Sequence, residues 1–154
     1  MIQRIQSLYL LLAAVCAGAM LLLPLAAYTD GMNEYTLRAF MLSESGGEAS
    51  QPTVYMGILL SLSALLPFVT IFLFKRRMLQ VRLCVVELVL LAGGIIMMAV
   101  YCYLCYRAVS GMPFGAASLK AGVILPLPAI VFTVLALRAT FRDEVLVRSL
   151  DRIR

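Results

Sequence analysis

Glu87 is the one ionisable side chain inside the long apolar blocks of this chain, which makes it the first residue to test for chemistry. A carboxyl group in hydrocarbon is costly, and where one persists it marks a polar partner or an ion pathway. Helical spacing puts Glu87, Leu91, Gly94, Met98 and Tyr101 on one stripe, and the small Gly94 turns that stripe toward another helix. Counted from Leu83, where its block begins, Glu87 lies only about 6 Å in. At that depth it can reach headgroups or pair with Arg4, Arg82 or Arg138. The expectation is a structural clamp; a transport or ligand role is the sharper alternative.

The second candidate is the pair Cys102 and Cys105, a C-x-x-C near the far end of the same block. In a four-pass protein this spacing resembles that of membrane thiol oxidases, which pass electrons to quinone. Such enzymes need a second cysteine pair in an outer loop. The two remaining cysteines, Cys16 and Cys84, lie in apolar blocks instead. A C-x-x-C thiolate is favoured at a helix N-terminus, and this pair sits toward a C-terminus, where the dipole opposes it. Buried small hydrophobes are the simpler reading of all four.

Other chemistry is thinly represented. The chain has no His, no two acids at one depth of an apolar block and no Gly-rich phosphate loop. Asp30, Glu34, Glu44 and Glu48 fall in a polar loop and read as solvated. No catalytic residue, metal or cofactor is expected. Gly93-Gly94, Ala14-x-x-x-Gly18, Pro67, Pro126 and Pro128 fit broken helices around a transport site, but helix contacts and kinks explain them equally well.

The elements that would position these residues follow from composition. Of the 154 residues 63% are hydrophobic and 14% charged. Soluble domains hold about 45–50% apolar and about 25% charged residues. The excess comes in blocks, about 7–27, 55–74, 83–106 and 121–140, each near the length needed to cross about 30 Å of hydrocarbon. Backbone groups in lipid must be paired within their own segment, so the expected fold is an all-α integral membrane protein, a single four-transmembrane-helix bundle. The first block is too long for a signal-peptide core, and Val15 before Cys16 is a poor lipoprotein cleavage site.

Lys and Arg orient the blocks. With the N-terminus inside, the inner segments hold Arg4, Lys75, Arg76, Arg77, Arg82, Arg138, Arg142, Arg148, Arg152 and Arg154, and the outer ones only Arg38, Arg107 and Lys120. The positive-inside rule then puts both termini in the cytoplasm, with Lys75, Arg76, Arg77, Arg148 and Arg152 at lipid headgroups. That placement accounts for the net charge of +5 without nucleic acid. Tyr28, Tyr55, Tyr101, Tyr103 and Tyr106 would form an outer interfacial belt. In the outer loop 28–54, partial alternation puts Tyr35, Leu37 and Ala39 on one face, so a small β-hairpin using the stretch before the second helix is expected there, with Ser43 to Pro52 as a turn or flexible tip. In the tail 141–154, Leu146, Leu150 and Ile153 recur at helical spacing, predicting a separate amphipathic helix on the inner surface.

Three segments carry a resemblance. The opening Met1-Ile2-Gln3-Arg4-Ile5-Gln6-Ser7, the turn Phe74-Lys75-Arg76-Arg77-Met78-Leu79-Gln80-Val81-Arg82-Leu83 and the closing Asp143-Glu144-Val145-Leu146-Val147-Arg148-Ser149-Leu150-Asp151-Arg152-Ile153-Arg154 occur in that order. Together they resemble an uncharacterised family of small four-pass membrane proteins of Bacteroidota. The resemblance implies a bacterial inner-membrane location and the same topology, and no activity. The function expected by elimination is an accessory, scaffold or assembly component, with the bilayer and a protein partner or second copy as its contacts. A small transporter or channel component using Glu87 is the alternative; a thiol oxidoreductase using Cys102 and Cys105 ranks third.

Overall fold

Apolar runs wind four segments into helices: α1 (Ile2–Leu22), α2 (Val54–Phe72), α3 (Arg77–Val109) and α4 (Pro126–Asp151). The computed structural model describes residues 2–30, 33–44, 49–73, 77–109 and 117–151. Each helix contains a stretch long and apolar enough to cross a membrane. Proline sets two of the boundaries. Pro24 has no N–H to continue α1 and drives the residue before it out of helical geometry, so the helix ends at Leu22 although the apolar run continues to Ala27. Pro126 opens α4 at the first helical position, where a missing N–H costs nothing.

Buried positions recur at alternating spacings of four and three residues. On α1 they are Gln6, Leu10, Ala13, Ala17 and Met20; on α4, Pro126, Ala129, Thr133, Ala136 and Thr140. That is the seam of a left-handed bundle. The helices form a square in which each packs on its neighbours in sequence and α1 closes against α4, leaving α1 diagonal to α3. One half of the core is apolar, with Ala17, Met20, Met56, Leu60, Leu91, Met98 and Ala129. The other half, toward the end that carries both termini, buries Gln6, Thr70, Gln80, Glu87, Thr133 and Thr140.

The opposite end carries a five-stranded antiparallel sheet. Its strands are β1 (Ala26–Asp30), β2 (Asn33–Leu37), β3 (Met41–Glu44), β4 (Ala49–Pro52) and β5 (Ala117–Leu119), in the order β4-β3-β2-β1-β5. The hairpin expected between α1 and α2 is therefore four strands, and a fifth comes from the α3–α4 connection, whose Ser118 lies opposite Ala27. Ala26, Tyr28, Leu37 and Leu42 are buried in the core that continues into the bundle. At about 1.5 Å per residue, the 33 residues of α3 span roughly 50 Å, so its last turns project past the shorter α2 and support the sheet. There the Tyr28 hydroxyl donates to the Cys102 carbonyl at 3.0 Å. Phe40 covers Gly57 so closely that a Cβ there would collide with the ring.

Several boundaries differ from expectation. The stretch from Ser43 to Pro52, expected as a turn or flexible tip, contributes its two ends to strands β3 and β4, and residues 45–48 between them lie outside the described residues. The helix holding Glu87 begins at Arg77, six residues before the apolar block does. The tail is not a separate amphipathic helix: α4 runs unbroken to Asp151, because no Pro or Gly interrupts it after Pro128.

Candidate functional site

Ten residues from the start of α3, Glu87 lies about 15 Å into the helix, far deeper than the apolar block alone indicated. It is 1% exposed, and neither carboxylate oxygen has a hydrogen-bond partner among the described residues. The expected clamp is not formed by Arg82 or Arg138: both are exposed. The side chain of Arg4 lies outside the described residues. The stripe itself forms as expected, with Glu87, Leu91, Gly94 and Met98 all buried. At Gly94 an added Cβ would sit 3.3 Å from the side chains of Leu59 and Leu60, so α3 meets α2 there.

That contact sets the register of the antiparallel pair. Moving the same number of residues toward the termini on each helix brings Glu87 level with the buried Pro67. On the other side, Leu10, Cys84 and Ala136 share one cluster, which brings Glu87 level with Ala13 and Thr133. Long helical side chains lean toward the N-terminus of their own helix, so the carboxyl leans toward the termini end and the level of Thr70.

The hydroxyls around this level share one habit. Ser63 donates to the Leu60 carbonyl at 2.9 Å, Thr70 to Leu66 at 2.7 Å, Thr133 to Ala129 at 2.8 Å and Thr140 to Ala136 at 2.8 Å. A hydroxyl has one proton and two lone pairs, so each now offers only acceptors to the core. The Gln6 amide donates to the Thr140 hydroxyl, tying α1 to α4. Pro67 brings no N–H to the Ser63 carbonyl, its helical partner, which adds another acceptor. These groups were missed in sequence because single Ser, Thr and Gln residues in apolar blocks look incidental. Their signal is that they fall on the same three-and-four spacing as the apolar seam.

With the bundle, its sheet cap and the polar half-core established, comparison with known proteins places the chain. The family described as Domain of unknown function (DUF4293) matches residues 2–153. The chain belongs to it. The match covers nearly the whole chain, from the first turn of α1 to the end of α4, and the description carries no activity. No curated protein matches the chain.

The other candidates in this DUF4293 chain read as follows. Cys102 and Cys105 are free, one half-buried and the other 2% exposed, and they pack in the core beneath β1. Cys16 and Cys84 are free as well. Burial pushes the Tyr28 phenol well above its ordinary range, with the neighbouring Cys102 adding to the shift. Arg77 and Arg148 are helical, and Lys75, Arg76 and Arg152 lie outside the described residues. Between α1 and α2 runs an open apolar groove of about 480 Å³, lined by Ala14, Gly18, Ala64 and Phe68 among others.

Proposed function

We propose that the chain is a four-pass protein of the bacterial cytoplasmic membrane, with both termini in the cytoplasm, acting as an accessory or assembly component. The sheet end is its working surface. The observation that carries this reading is the sheet itself. Two separate connections are ordered into one platform, one face is spent on the bundle, and the other face and the edge strands β4 and β5 point away from it. The row opposite the core, Ser118, Ala27, Thr36 and Ser43, is small and mostly polar, and Glu34, Arg38 and Met41 stand exposed nearby. A polar face with open strand edges suits recognition by a partner protein, since an edge offers unpaired backbone groups for strand addition. The orientation is supported by the ten basic residues toward the termini end against three toward the sheet.

The test is a native pull-down from a bacterial host in mild detergent. A partner recovered in stoichiometric amount by the native protein, and lost on Arg38→Glu with Glu34→Lys, supports this function. A protein that runs alone, or a partner indifferent to those changes, refutes the sheet as the working surface.

A further inference from the structure

We infer that Glu87 anchors a binding site for a monovalent cation, H⁺ or Na⁺, inside the bundle. This goes beyond the accessory reading and does not depend on it. The Glu87 carboxyl oxygens are buried, with no hydrogen-bond partner among the described residues. The helices facing it present no cationic side chain among the described residues: α2 brings Ser63, Pro67 and Thr70, α4 brings Thr133 and Ala136, and α1, diagonally across the bundle, brings Leu10 and Ala13. Cys84 on its own helix and the half-buried Tyr9 are the titratable neighbours in the adjoining cluster.

An acceptor cannot satisfy another acceptor. The hydroxyls of Thr70 and Thr133 have spent their protons on their own helices and keep only lone pairs for the core. The Ser63 carbonyl, denied an N–H by Pro67, faces the same level. A carboxyl set among acceptors needs something positive between them, and these hard oxygens suit a proton or an alkali cation. One positive charge makes the site neutral. A divalent ion would leave a net charge buried in low dielectric, which is far costlier.

Apolar clusters bracket the site along the bundle. Toward the sheet, Leu91, Met98, Leu60 and Met56 close the interior with apolar side chains. Toward the termini, the smaller cluster of Leu10, Cys84 and Ala136 comes next, and Gln80, Gln6 and Thr140 are buried beyond it. The site therefore suits an ion held in place and not a path across the molecule.

Two measurements on the full chain in detergent separate the two ions. Replacing choline chloride by NaCl at constant ionic strength should raise the melting temperature if Na⁺ binds, by about 5 °C or more at a hundredfold excess over Kd. The shift should vanish in Glu87→Gln. If H⁺ is the occupant, Na⁺ has no effect, and the infrared spectrum at neutral pH holds a buried carboxylic-acid band that Glu87→Gln removes. Should that variant not fold, Thr133→Val keeps the carboxyl and removes one oxygen; it should weaken the Na⁺ shift or move the acid band. Absence in the native protein of both the Na⁺ shift and the acid band overturns the proposal, as does a Na⁺ shift that survives in Glu87→Gln.

Discussion

Glu87 shows how far residue type and environment can diverge. The same carboxyl would be ordinary in a headgroup region, but about 15 Å along α3 it is buried with no hydrogen-bond partner among the described residues. Tyr28 is the opposite case, a buried phenol with its hydrogen bond made to the Cys102 carbonyl. Tyr28→Phe should cost about 1 kcal/mol. A thiol-reactive dye that reports cysteine exposure on heating would measure it, because all four thiols are buried or half-buried. The phenol also has a proton linkage. Burial holds its folded pKa above the ordinary phenol value, so its contribution is intact at neutral pH and falls as pH rises beyond about 10. Alkaline unfolding should therefore steepen in the native protein relative to Tyr28→Phe. Gly122 is held for space: a Cβ would stand 2.7 Å from the Pro24 carbonyl oxygen, in the turn where the Gly122 N–H donates to that same oxygen. Gly122→Ala should destabilise by about 1–3 kcal/mol in the same assay.

At the level of elements, the contacts that matter join segments far apart in sequence. Gln6 and Thr140 tie the first helix to the last. Thr140→Val keeps the shape and leaves a buried amide unsatisfied, so a loss of about 1–3 kcal/mol is expected, with recovery when Gln6→Leu is added. That recovery would distinguish a polar tie from simple packing. The sheet gives a sharper test, because β5 pairs with β1 in a definite register, Ala27 opposite Ser118. Cysteines at 27 and 118, in a background without the native four, should cross-link under mild oxidation, whereas 29 and 118 should not. Equal cross-linking of both pairs would contradict the register.

For the whole molecule, the four helices and the basic bias toward one end make a topological prediction. A fluorescent protein fused after Arg154 should fluoresce, and alkaline phosphatase fused there should be inactive, as a cytoplasmic C-terminus requires. Active phosphatase would reverse the orientation and put the sheet in the cytoplasm. The two ends differ in build: a platform of strands at one, and at the other a half-core in which Gln6, Thr70, Gln80, Glu87, Thr133 and Thr140 are buried beside the cluster of Leu10, Cys84 and Ala136.

Much of this was already legible in the residue order. Apolar blocks of spanning length predict helices because unpaired backbone in lipid has no alternative, and the Glu87–Met98 stripe emerges from 3.6-residue periodicity alone. Those are local consequences, readable one segment at a time. What only the tertiary structure decided is which segments meet. Ala117–Leu119 is too short to announce a strand and becomes one because β1 offers it an edge. Pro24 turns the end of an apolar run from helix to strand by joining it to the same sheet. The surroundings of Glu87 depend on the register of three other helices, so no neighbour along its own segment could reveal that the hydroxyl-bearing Thr133 lies at its level. Pairing energy belongs to contacts across the bundle, and those exist only once the chain has closed.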